Sequence, residues 1–156
     1  MSDDPAGPVE LPAETGTPHG VLGASLLRMA TTPRRDGTFD GAWWPRSRNL
    51  AVQLPGLIRA LTERLGSVAR IGLDSGAWDV RLRSMAVDGS LVRIDWSEVD
   101  DHTMLVTRGR QDIFSFLMLP WYADETAARA AMTLAVQDGN SASAAEILAA
   151  TGIPAR

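Results

Sequence analysis

Apolar positions recur along this chain with two different periods, and the switches between them mark off its elements. The run VLGASLLRMATT (21–32) is apolar and free of proline, which predicts a first strand ending near Thr32 and closed by Pro33. From Asn49 the period becomes helical: Leu50, Leu54, Leu57, Ile58, Leu61 and Leu65 share one face, and Gly66 supplies a stop. Pro55 interrupts that face, because an interior proline lacks a donor and clashes with the preceding turn. The expectation is a short turn over 49–53, then the main helix with Pro55 in its first turn. Alternation returns in VARIGLD (68–74) and again in RSMAVDGSLVRIDW, where Asp88-Gly89 is a two-residue hairpin signal and Val92, Ile94 and Trp96 share a face. A second hairpin pairs TMLVT (103–107) with IFSFLML (113–119), and the continuous apolarity of the latter predicts a central strand covered on both faces. Two helices close the chain. Asp124 caps the first, which runs to about Gln137 and buries mainly alanines with Met132 and Leu134; Ser143 and Glu146 match a capping box for the second, which stops before Gly152 and Pro154.

Two stretches escape both periods. Residues 1–20 hold four prolines and four acids with few large apolar side chains, so a disordered acidic tail is expected, followed by a single domain over 21–156. Residues 33–48 read as a long loop, and loops of that length inside compact domains are usually functional. The expected fold is therefore α+β: a mostly antiparallel twisted sheet of about five or six strands, one helix after the first strand, and two C-terminal helices.

Composition narrows the chemistry. The absence of cysteine excludes disulfides, thiolate metal sites and a cysteine nucleophile. All fifteen basic residues are arginine, whose planar fork suits carboxylates and phosphates better than a lysine point charge does. The start MSDDPAGPVE has no basic and apolar leader pattern, and no apolar run is long enough to span a bilayer, so a cytoplasmic protein without membrane contact is expected. A net charge of -4, with Arg129 the one base between Thr126 and Thr151, argues against DNA binding by the terminal helix pair.

Phosphate-loop, dinucleotide, nucleophile-elbow and HExxH zinc motifs do not occur in the chain. Asp100, Asp101 and His102 are consecutive, and consecutive side chains rarely converge on one ion, so neither metal nor cofactor is expected. The segment FDGAWWPRSRN (39–49) carries more information. Trp44 precedes a proline and is pushed to extended geometry, where adjacent side chains point to opposite sides. One indole can then plug the core while its neighbour faces a cleft. Arg46 and Arg48, with Arg34 and Arg35 in the same stretch, give residues 28–48 five arginines against two acids. Two readings follow: tryptophans stapling a loop whose arginines pair with nearby aspartates, or an aromatic floor with guanidinium forks. On the second, Trp43, Trp44, Arg46, Arg48, Arg34, Arg35 and Trp78 form a ligand site for a small anion or an acidic protein partner. The function expected is a non-catalytic binding or regulatory module. The alternative is a small enzyme or ligand carrier with a pocket between that loop and the sheet, using Asp40, Asp79 or His102 as acid or base.

GAWWPRSRNL, LPGLIRAL, RIGLDSGAWD, VDGSLVRIDW, ARAAM and AAEILAA, in that order, resemble an actinobacterial family of uncharacterised proteins with a GAWWPRS-type motif, over about residues 25–150. The resemblance implies one conserved fold unit and carries no activity. Where that family tends to have a proline-rich link before the terminal helices, this chain has MLPWYADET, with Trp121 and Tyr122 as added aromatic surface.

Overall fold

A computed structural model describes residues 8–11, 25–30, 37–96, 100–137 and 139–154. Their strands are β1 (Val9–Leu11), β2 (Ser25–Met29), β3 (Gly41–Trp44), β4 (Val68–Leu73), β5 (Ser84–Val87), β6 (Ser90–Asp95), β7 (Thr103–Arg108) and β8 (Asp112–Met118). The helices are α1 (Leu50–Leu65), α2 (Glu125–Ala135) and α3 (Ala144–Thr151), with a short 3-10 turn at Ser75–Ala77. All eight strands form one sheet, in the order β1-β2-β3-β8-β7-β4-β6-β5. It curls into a half-barrel.

This corrects the expected sheet of five or six antiparallel strands. The sheet has eight strands, its pairing is mixed because β3–β8 and β4–β6 run parallel, and α1 follows the third strand, not the first. The reason lies in residues 33–48, read as a loop: Gly41–Trp44 is a strand buried on both faces, so it shows no polar alternation. Gly41 opens it because a Cβ there would lie 2.6 Å from the Arg28 carbonyl oxygen and 2.6 Å from the Phe116 ring. Only a bare backbone lets β3 seat between β2 and β8. Within the stretch expected as a tail, Val9–Leu11 adds an edge strand to β2, with Leu11 buried.

Other expectations hold locally. Asp88 and Gly89 both have positive φ, 51° and 83°, and join β5 to β6 with Val87 opposite Ser90. β8 lies inside the sheet between β3 and β7, with Phe116, Leu117 and Met118 all buried. Helix α1, in contrast, runs unbroken from its Asn49 cap, and Pro55 sits in its second turn. The carbonyl that loses its partner to Pro55 belongs to exposed Ala51, where water can donate to it instead.

Two cores result. One gathers α1, Leu27, Trp43, Ile71, Val92, Met104, Val106 and Phe116; the other packs α2 and α3 against Leu26, Trp44 and Leu117. Ala128, Ala131 and Ala135 of α2 are buried, and their small side chains let the helix lie close to β3. Among the described residues no helix is long and apolar enough to cross a membrane.

The cap of α3 yields a pH prediction. Ser143 accepts from the Glu146 backbone N–H, and the Glu146 carboxylate accepts from the Ser143 N–H at 2.9 Å, which holds the Glu146 pKa below its ordinary value. That stabilisation is full above the ordinary glutamate pKa and is lost as pH falls through the lower folded value. Amide exchange at the start of α3 is expected to quicken over that acid window. In Glu146→Gln, which retains an acceptor, exchange is expected not to follow this titration.

Candidate functional site

Four chain segments converge at one end of the sheet. Trp43 lies opposite Met118 in the parallel β3–β8 pair, so both strands finish at the same edge. β7 starts there, with Thr103 opposite Leu117, and β4 ends there, with Leu73 opposite Met104. After β3 the chain turns to α1 in one core; after β8 it turns to α2 in the other. Neighbouring parallel strands whose connections leave to opposite faces open a crevice between them, the same topological reason that places ligands at strand ends in open α/β sheets.

A pocket of about 250 Å³ occupies that crevice. Pro45, Ser47 and Arg48, from the segment after β3, line it together with Pro120, Trp121 and Tyr122, from the segment after β8. Trp78, with Gly76 and Ala77, closes it from the β4 side, and His102 lies at the start of β7. Backbone bonds fix the walls to the sheet: Leu119 N donates to Trp43 O at 2.9 Å, Met118 N to His102 O at 2.8 Å, and Asp79 N to Arg48 O at 2.9 Å. The buried Asp74 carboxylate accepts from Gly76 N at 3.0 Å and His102 N at 3.1 Å, tying two of the four segments together. His102 holds a left-handed backbone, φ 59°, a conformation uncommon outside glycine.

The opposite-facing geometry expected of Trp43 and Trp44 is present, but its consequence differs. Both rings are 0% exposed, one in each core, so neither faces the cleft. The sheet supplies two hydrophobic sides, and β3 lies too deep in it for either indole to reach solvent. Trp43 instead stacks on Trp78, centroids 5.4 Å apart and planes 21° apart, and so backs the pocket wall. Trp44 donates from Nε1 to the Pro120 carbonyl at 2.9 Å, pinning the segment after β8.

The arginines also separate, because β3 ends at Trp44 and the next residues bend. Arg46 folds back over the Trp44 ring, 4.0 Å from its centroid, and its backbone N–H donates to buried Gln53 at 3.0 Å. Burial lowers the Arg46 pKa while Glu125 opposes the shift, and the guanidinium keeps its charge. Arg48 reaches the pocket, where its guanidinium makes a long 3.5 Å contact to Trp78 O. Neither Arg46 nor Arg48 has a carboxylate at ion-pair distance among the described residues. Arg34 and Arg35 lie outside the described residues.

Of the acid–base candidates, His102 alone lines the pocket. Asp79 accepts from Leu50 N at 3.2 Å at the start of α1, and Asp40 accepts from Ser115 N at 2.9 Å on the sheet. Trp121 and Tyr122 were foreseen as extra aromatic surface but not as lining of the same pocket as Arg48. Two adjacent aromatics between a strand end and the Asp124 helix cap were the available signal.

Residues 26–135, which run from β2 through α2 and include every pocket segment, match the model of a family of unknown function, DUF5994. The chain belongs to that family. No curated protein and no solved structure matches it. Within this DUF5994 member, the family match holds the crevice and both tryptophans of β3 and stops before α3.

Proposed function

We propose that this chain is a non-catalytic binding module that takes a small anionic ligand in the crevice at the β3–β8 strand ends. Arg48 is the anion contact, and the GAWWPRS segment, expected from sequence to mark an actinobacterial family, is the scaffold behind it. The observation that carries the reading is a guanidinium without an ion-pair partner among the described residues, set on the rim of an aromatic pocket. A pocket of about 250 Å³ is just under the ~300–1,000 Å³ of typical ligand sites. That favours a small molecule over a peptide or an acidic protein surface.

The test is thermal unfolding of the full chain with small organic carboxylates and with their neutral amides. A ligand that binds only the folded state raises stability by RT ln(1 + [L]/Kd). Carboxylates are expected to raise the midpoint in a concentration-dependent way and the amides to leave it in place. Equal shifts for both, or none for any carboxylate, would remove the proposal. A second reading, a small enzyme using the same pocket, is favoured by one observation: His102 lines it in a left-handed conformation, and backbone strain concentrates at working sites.

A further inference from the structure

We infer that the ligand of this pocket is a flat, monocyclic aromatic carboxylate, an inference that rests on the anion reading above and narrows it. Three features of the walls lead there. The first is size. About 250 Å³ admits one ring with a short acidic group and is too small for a nucleotide.

The second is the character of the walls. Trp78 has one face taken by its stack on Trp43, which makes it a rigid backing with little freedom to adapt. In the same lining, Trp121 and Tyr122 remain 41% and 40% exposed, while Trp43, Trp44, Trp78, Phe39, Phe114 and Phe116 are all buried. These two rings sit edge to face, centroids 5.7 Å apart and planes at 84°, with the Tyr122 hydroxyl donating to Pro154 O at 2.8 Å. Two large rings held open to water at the mouth of a pocket form an apolar surface awaiting cover. Pro45 and Pro120 complete walls that are stiff and flat. Stiff aromatic walls favour a planar ring, because quadrupoles align in stacked or edge-to-face contacts that a puckered aliphatic ring cannot make.

The third is the charge. Arg48 brings a single fork, which matches the two oxygens of a carboxylate, whereas a phosphate is commonly met by several cations or a row of backbone N–H groups. Lysine is absent from the chain, so no flexible ammonium can supplement it.

The experiment titrates the full chain by calorimetry with benzoate, cyclohexanecarboxylate, benzamide and inorganic phosphate. The second matches benzoate in size and charge without a flat ring, and the third keeps the ring without the charge. Benzoate is expected to bind at least about threefold more tightly than cyclohexanecarboxylate, as aromatic pair contacts are worth, with benzamide and phosphate weaker than both. In Trp121→Ala, a change at an exposed position, both ring acids are expected to bind more weakly and benzoate to lose more than cyclohexanecarboxylate, so that the preference shrinks. Equal affinity for the two ring acids, or tightest binding of phosphate, overturns the aromatic inference and leaves the anion reading standing. Benzamide binding as well as benzoate, or no binding by any probe, overturns both.

Discussion

Trp43→Ala is expected to cost about 3–5 kcal/mol of folding stability, as large aromatic truncations in packed cores do. Against the ~5–15 kcal/mol that holds a typical domain together, that is about a fifth or more of the total. The ring is fully buried between α1 and the sheet, its neighbours are fixed by strand pairing on both sides, and the cavity cannot collapse. Trp44→Ala is expected to fall in the same range on the other side of the sheet. The phenylalanine variants separate the two positions. Trp43 Nε1 is buried without a hydrogen-bond partner among the described residues, so Trp43→Phe loses volume but relieves an unsatisfied donor. Trp44→Phe removes one of the two hydrogen bonds to the buried Pro120 carbonyl, which keeps the one from Ala123 N at 3.1 Å, and removes the ring best suited to Arg46. Urea unfolding is therefore expected to show Trp44→Phe as the more destabilised by about 1–2 kcal/mol. The reverse order would mean that the Trp44–Pro120 bond does not hold the pocket wall.

Arg48→Met is expected to weaken binding of a small carboxylate by about ten- to a hundredfold, since hydrogen bonds to charged groups contribute ~1.5–3 kcal/mol. Folding stability should change by less than about 0.5 kcal/mol, because Arg48 is exposed, the described hydrogen bond of its side chain is long, and the backbone bond from Asp79 N survives the substitution. Isothermal titration beside a urea curve on the same sample separates the two effects. Arg46→Met is the control. Arg46 is spent on the Trp44 face, so it should lose stability while leaving the affinity of a correctly folded pocket within about threefold.

What could be read from the chain follows the range over which each signal acts. The Asp88-Gly89 hairpin, the Asp124 cap and the Ser143–Glu146 box depend on residues a few positions apart, and each forms where its pattern says. β3 depends on partners far away: Leu27 and Met118 flank Trp43, and nothing near Trp43 in the chain announces a parallel neighbour across α1 and four strands. A strand buried on both faces has no polar alternation to display, and Pro45 next to it reads as loop. Pro55 misled in the opposite sense, because the cost of a proline depends on whether the freed carbonyl reaches water. At the site, Arg48 and Trp78 were legible as loop residues of the right chemistry. That Trp43 and Trp44 would back the pocket and not line it depends on how many layers cover β3, which no local pattern encodes.

The direct measurement is the set of five tryptophan indole N–H signals in a nitrogen-15 spectrum of the full chain, titrated with benzoate and with cyclohexanecarboxylate. Binding in the crevice shifts Trp121 and Trp78 saturably. It leaves Trp96, whose Nε1 is bonded to Leu82 O at 2.7 Å, in place. Movement of Trp96 with Trp121 and Trp78 unchanged, or no saturable movement with either acid, would contradict an anion site at the strand ends.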